Sequence, residues 1–231
     1  MQIILIPGLM NDGWVWHQQI GALSRLGPVT VARTDGCDSL AAMAARIVAE
    51  TAGPMAVIGH SMGGRVALEV AVQAPSRVKA LGLLNTGVHG PAEKERAGRT
   101  ALVDLARAEG MAAVAAEWMP PMLAPANRGD AALAAGITAM LGRCDPDDFA
   151  GQQAALMGRT DRTPLIPRLD CPILAVSGAD DIWSPPEQHQ AIADAAKQGQ
   201  FAVVPGAGHM LPVEAPDGLT DVLTGFLRGL G

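Results

Sequence analysis

The sequence predicts an α/β fold, a doubly wound and mostly parallel sheet, and three observations carry that expectation. Short apolar runs alternate with helix-spaced segments along all 231 residues, the pattern of a parallel sheet covered on both faces. One stretch, Met55-Ala56-Val57-Ile58-Gly59-His60-Ser61-Met62-Gly63-Gly64, reads as an apolar strand, a sharp turn and a helix start with a serine at the apex. Four loops that follow strands, 7–13, 59–64, 178–185 and 205–209, are polar or glycine-rich, and ligands of such sheets gather at the carboxyl edge.

The elements follow in order. Residues 3–6 form a continuous apolar run, as in a strand buried on both faces. A helix is expected over 14–26, a short strand over 28–32, and an alanine-rich helix over 40–51 capped by Asp38 or Ser39. The serine strand leads into a helix over 65–73, and the fourth strand covers 78–84. Residues 88–170 are alanine-rich with apolar positions at helical spacing, which predicts three or four helices broken at Pro120-Pro121, at Pro125 and between Gly142 and Pro146. Strands resume at 172–176 and 201–204, making six. Ser184-Pro185-Pro186-Glu187 reads as a capping box opening a helix to about 197, and a last helix covers 217–227. The expected organisation is a core of 1–87 and 171–231 with 88–170 inserted as a helical lid.

Composition narrows the function classes. The net charge is −6 and no basic patch stands out, which argues against nucleic acid. Cys37, Cys144 and Cys171 are scattered and odd in number, without disulfide or zinc spacing, which suits a reducing, cytoplasmic setting. No leader pattern is visible and no apolar run reaches the roughly 18 residues that cross a membrane. The expected partner is a small-molecule substrate, with no metal or cofactor.

The chemistry is read from the turn. A serine on so tight a turn takes strained φ/ψ, and Gly59 and Gly63 remove side chains that would collide there. Serine needs a base and a group that orients the base. The strand-end candidates after Ser61 are Asp180 or Asp181, then His209. With Ile6-Pro7-Gly8-Leu9, Gly59-His60-Ser61-Met62-Gly63-Gly64, Gly178-Ala179-Asp180-Asp181 followed by Pro185, and Gly208-His209 followed by Glu214 and Pro216, the chain resembles the α/β-hydrolase superfamily along its whole length. Within it the chain is similar to small bacterial carboxylesterases and 3-oxoadipate enol-lactonase-like enzymes. That resemblance implies the hydrolase fold without its first hairpin, a triad of Ser61, Asp181 and His209, and an oxyanion hole from the Leu9 and Met62 N–H groups. It also implies cleavage of a small, largely apolar carboxylic ester, lactone or thioester. Acyl transfer or perhydrolysis with the same triad, and a non-catalytic receptor on the same fold, are the alternatives.

Further candidates come from position. His89, Trp118 and Met122 are expected to line the pocket, with a methionine-rich wall suited to an apolar group. Arg159, in the 158–162 stretch, either belongs to a solvated charged loop or closes over the mouth. His60 is expected to pack away from the nucleophile, and His17 and His189 to sit on the surface. Glu214 and Asp217 are read as the start of the last helix.

Overall fold

A computed structural model describes residues 1–230. Its strands are β1 (Gln2–Ile6), β2 (Val29–Val31), β3 (Met55–His60), β4 (Val78–Leu84), β5 (Ile173–Gly178) and β6 (Gly199–Val204). Its helices are α1 (His17–Leu23), α2 (Leu40–Glu50), α3 (Met62–Gln73), α4 (Glu93–Glu109), α5 (Met111–Met122), α6 (Ala131–Leu141), α7 (Pro146–Met157), α8 (Pro186–Ala195), α9 (Leu211–Glu214) and α10 (Pro216–Arg228). The sheet order is β2-β1-β3-β4-β5-β6 and every pairing is parallel.

That order decides where a ligand can bind. The chain steps one way from β1 to β2 and the other way from β3 onward. Right-handed crossovers then put α1 on one face of the sheet and α2, α3 and α8 on the other. The reversal opens a crevice at the carboxyl ends of β1 and β3. The loop holding Leu9 follows β1, and Ser61 follows β3, so both border it. Both strands are buried almost end to end, which is why they read as unbroken apolar runs.

Several boundaries differ from the sequence reading for local reasons. The expected helix over 14–26 is a 3₁₀ turn, Gly13–Trp16, followed by α1, because Asp12 caps Trp14 N–H at 2.8 Å and starts the turn early. Ser39, not Asp38, caps α2, its Oγ accepting from Ala42 N–H at 3.2 Å; such caps contribute about 1 kcal/mol. Helix α5 runs through Pro120 and Pro121 and ends at Met122, one residue after them. The capping box at Ser184 does not form: Pro185 is the cap residue of α8, and Ser184 donates its N–H to Asp181 Oδ1 at 3.0 Å. Helices α4–α7 lie between β4 and β5, and α4 packs on α7 and α5 on α6.

Candidate active site

Ser61 stands between β3 and α3 at φ 55° and ψ −118°, a region that costs of order 1–3 kcal/mol. Its neighbours hold it there. Its N–H donates to Leu84 O at 2.8 Å, and its own carbonyl accepts from Thr86 Oγ1 at 2.6 Å. The turn is closed by two glycines. A Cβ on Gly59 would run into Gly63 O, and one on Gly63 into Ile6 O, both inside van der Waals contact. Any larger residue would push the turn open.

Three side chains from three strand ends then form a chain of hydrogen bonds. Ser61 Oγ lies 2.9 Å from His209 Nε2, and His209 Nδ1 lies 2.9 Å from Asp181 Oδ2. Asp181 is 2% exposed, and its other oxygen, Oδ1, accepts from the N–H groups of Trp183 and Ser184 at 2.9 and 3.0 Å. Burial alone would raise its pKa. The His209 ring, its hydrogen bond, Asn85 and the loop N–H together outweigh burial and hold the carboxyl well below the usual carboxylate range. An ionised Asp181 accepts only, so His209 carries its proton on Nδ1 and offers Nε2 as acceptor to the serine hydroxyl. Asp180 is exposed and makes no hydrogen bond to the histidine ring.

The sequence candidates fall at several distances from this chain. Leu9, Met62, His89, Trp118, Met122 and Arg159 line one cleft of about 680 Å³ together with Ser61 and His209. Among the described residues neither the Leu9 nor the Met62 backbone N–H donates to a protein acceptor. Trp118 stacks at 5.3 Å from Trp183, which in turn lies 5.0 Å from the His209 ring. His89 sits on the rim. Burial and then the charges of Arg65 and Arg159 push its pKa down. His60 is fully buried, and its Nε2–H donates to His209 O at 2.7 Å. Burial and the neighbouring His209 push its pKa down to about 3, so it holds the His209 backbone as a neutral ring.

Three expectations are corrected here. His189 is not a surface group: it is fully buried, and its Nε2 accepts from Thr86 N–H at 3.0 Å. In the 158–162 stretch Gly158, Thr160 and Asp161 are exposed, but Arg159 is not a solvated charge. Arg159 is 5% exposed and its guanidinium pairs with both oxygens of Glu95, at 2.6 and 3.0 Å. It also donates to the carbonyls of Leu156, His89 and Gly90. That uses all five of its N–H groups. Arg162 pairs with Glu69 at 2.6 Å. Glu214 does not start the last helix: it is the final residue of α9, two residues before α10 begins at Pro216. Its Oε1 accepts from Gly208 and Met210 N–H, both at 3.0 Å, and its Oε2 from Ala124 N–H and Asn127 Nδ2, at 2.7 and 2.9 Å. It ties the connection between α5 and α6 to the two neighbours of His209. Met122 O adds a bond from His209 N–H at 2.7 Å.

The geometry also brings in residues that the sequence reading passed over. Asn85, buried at φ 47°, donates through Nδ2 to Asp181 Oδ2 at 2.7 Å and to Gly208 O at 3.2 Å. An asparagine at a strand end, a residue type that tolerates positive φ, was its only signal. Trp183 was findable as an aromatic two residues past the acid in a chain with few aromatics. Arg65, one turn into α3, also borders the cleft.

The Glu95 pairs give a pH expectation. Burial raises the Glu95 pKa, but Arg159, the Ala92 N–H and Arg99 outweigh it and bring it down to about 2. A depressed carboxylate contributes stability that is present above its unfolded pKa near 4.5 and is lost as pH falls toward 2. Glu95→Gln should therefore melt at a lower temperature than the wild type at pH 7, with the gap closing by pH 2–3. Thermal melts of both proteins across that range check it; a gap that does not change with pH would remove the ion pair as its source.

Among the described residues no group of three or more His, Cys, Asp or Glu side chains is gathered to hold a metal ion, and no helix is long and apolar enough to cross a membrane. Comparison with known proteins finds relatives of the chain. The model of the Alpha/beta hydrolase family matches residues 3–222. A thermophilic esterase from Thermogutta terrifontis, solved with malate bound, superposes with a TM-score of 0.90 at 28% identity, covering 100% of this chain and 90% of the esterase. The enol-lactonase of Burkholderia xenovorans LB400 shares the fold, with a TM-score of 0.87 at 23% identity over 98% of this chain and 91% of its own. Among curated proteins, RutD of Escherichia coli O103:H2, provisionally named a carbamate hydrolase, is 26% identical over 257 aligned positions, covering 99% of this chain and 91% of RutD.

Proposed function

The chain belongs to the alpha/beta hydrolase family, and on that premise we propose that it is a serine hydrolase that cleaves a small carboxylic ester, lactone or thioester through an acyl-enzyme on Ser61. The reading rests on one observation, the continuous chain Ser61 Oγ, His209 Nε2, His209 Nδ1, Asp181 Oδ2 with both links at 2.9 Å. In this reading Ser61 Oγ attacks the scissile carbonyl as His209 Nε2 takes its proton. Asp181 keeps the imidazole in the tautomer that can accept that proton and stabilises the imidazolium. The carbonyl oxygen, now negative, lies against the N–H groups of Leu9 and Met62. One such donor is typically worth 10²–10³ in kcat. The leaving alcohol or thiol takes the proton back from His209. Water, activated by the same nitrogen, then releases the acid.

A fluorophosphonate probe tests this directly. The expected result is a single adduct on the peptide holding Ser61, formed in step with loss of ester hydrolysis. An adduct on another residue, or full activity after labelling, would overturn it.

The helical insertion, in this reading, sets substrate choice. Trp118 and Met122 face the cleft from α5. Replacing either with alanine should re-order a series of esters by acyl size, by about tenfold or more in relative kcat/KM. A methylene in an apolar pocket is worth roughly 1–3 kcal/mol, and these truncations remove several. An unchanged ranking with a lowered melting temperature would limit both side chains to packing.

A further inference from the structure

The cleft has an electrically uneven wall. Arg65, Lys94, Arg99 and Arg159 border it, against the carboxylates of Glu95 and Glu117. Glu95 is spent on two of those cations, Arg99 at 3.1 Å and Arg159 at 2.6 Å. Arg159 has no N–H left to give, and Arg99 also donates to Gln153 Oε1 at 2.8 Å. Arg65 differs. It donates one N–H, to His89 O at 2.7 Å, and among the described residues no carboxylate lies within ion-pair distance of it. Asp161, whose charge reaches Arg65 from the surface, is turned to the Thr163 N–H at 2.8 Å.

A half-buried guanidinium with four N–H groups not bonded to protein, none of them sealed from solvent, presents those donors in the cleft to a ligand's acceptor atoms. Burial, then the charge of Arg159, lower its pKa to about 9, which still leaves it charged at neutral pH. Gly87 lets the guanidinium pack close to the backbone beside the His89 ring: a Cβ there would come within 2.9 Å of Arg65 Nη2 and 2.7 Å of His89 Cε1. Arg65 lies four residues after Ser61, in the first turn of α3, and lines the same cleft as the serine.

We propose that Arg65 binds a carboxylate of the substrate, so that the natural substrate is an anionic ester, lactone or thioester whose carboxylate lies a few bonds from the scissile carbonyl. The inference deepens the hydrolase reading and rests on it. The planar fork of an arginine suits a carboxylate, which it grips with two parallel hydrogen bonds. The apolar wall of Trp118, Met122 and Trp183 then takes the remainder of the molecule.

Matched pairs of esters test it. Mono-4-nitrophenyl glutarate is compared with 4-nitrophenyl valerate, and the butyryl ester of glycolate with ethyl butyrate, so the charge sits in the acyl half or in the alcohol half. The wild type should prefer the anionic member of at least one pair by about 10–100-fold in kcat/KM, mostly through KM. Arg65→Met should reduce that ratio to within about threefold, and Arg65→Lys should retain part of it. The ratio within each protein cancels any general loss of activity. Calorimetric titration of the wild-type protein with glutarate, and with 1,5-pentanediol as a neutral control that cannot be hydrolysed, reads the same subsite without turnover or a variant; only the dianion should bind. No preference in either pair, a preference that survives Arg65→Met, or equal binding of glutarate and the diol would overturn the proposal. Ser61-dependent cleavage of neutral esters with no charge preference defeats this inference alone. Absence of any cleavage and of any fluorophosphonate adduct defeats the hydrolase reading, and glutarate binding then still decides the subsite.

Discussion

Replacing Ser61 with alanine should lower kcat by about 10⁴–10⁶ on any ester that the wild-type protein cleaves, while shifting the melting temperature by only a few degrees. The two expectations have separate causes. Activity falls because no other hydroxyl lies within reach of His209 Nε2, whose partner at 2.9 Å is Ser61 Oγ. Stability changes little because the strain at φ 55° belongs to any residue with a Cβ, and alanine keeps the Cβ. The clamps on the turn, Ser61 N–H to Leu84 O and Thr86 Oγ1 to Ser61 O, are made by backbone atoms that alanine retains. Steady-state kinetics with a thermal melt checks both. Retention of more than a tenth of the wild-type rate would remove Ser61 as the nucleophile.

Asp181→Asn should cost around 10⁴ in kcat, and Asp180→Asn less than tenfold. The structure supplies the reason in hydrogen-bond polarity. Asp181 receives donors on both oxygens: Trp183 and Ser184 N–H on Oδ1, Asn85 Nδ2 and the His209 ring on Oδ2. The amide of an asparagine must give its oxygen to one side. If that oxygen stays with the two backbone N–H groups, its NH₂ faces the Asn85 NH₂ and the histidine. His209 then turns to the other tautomer, with the proton on Nε2, and no longer accepts from Ser61. The donor-to-donor contact with Asn85 also destabilises the loop, by about 1–3 kcal/mol for a buried unsatisfied group, so Asp181→Asn should melt earlier than Asp180→Asn. Kinetics on both variants decides the register. A larger loss at Asp180 would mean that the histidine turns to the other acid of the pair.

What could be read from the chain and what could not divide along a physical line. The six strands, their parallel order and the serine turn follow from short-range features: apolar runs, two glycines at fixed offsets and strand-end polar residues. Each of these acts within a few residues of itself. Asn85, His189, Glu214 and Arg159 escape such reading because their partners lie 96, 103, 90 and 64 residues away. Nothing local to His189 marks it as buried, since its role is to accept one N–H from Thr86 across the sheet edge. Arg159 looks like one charge in a charged loop until α4 brings Glu95 to it. The capping box at Ser184 failed for the opposite reason. Its local pattern was sound, but Asp181 lies three residues upstream and takes the Ser184 N–H first.

The bonds from the connection between α5 and α6 to the histidine loop bear on how such enzymes can be recombined. Met122 O, Ala124 N–H and Asn127 Nδ2 reach the 208–210 backbone directly or through Glu214. The histidine is therefore anchored partly by a segment outside its own strand and loop. A chimera that receives foreign helices in place of α4–α7 inherits the sheet, the serine turn and Asp181 but loses a support of His209. Grafting for new specificity would have to cut after residue 88 and rejoin before 122, leaving 122–127 and Glu214 as native chain.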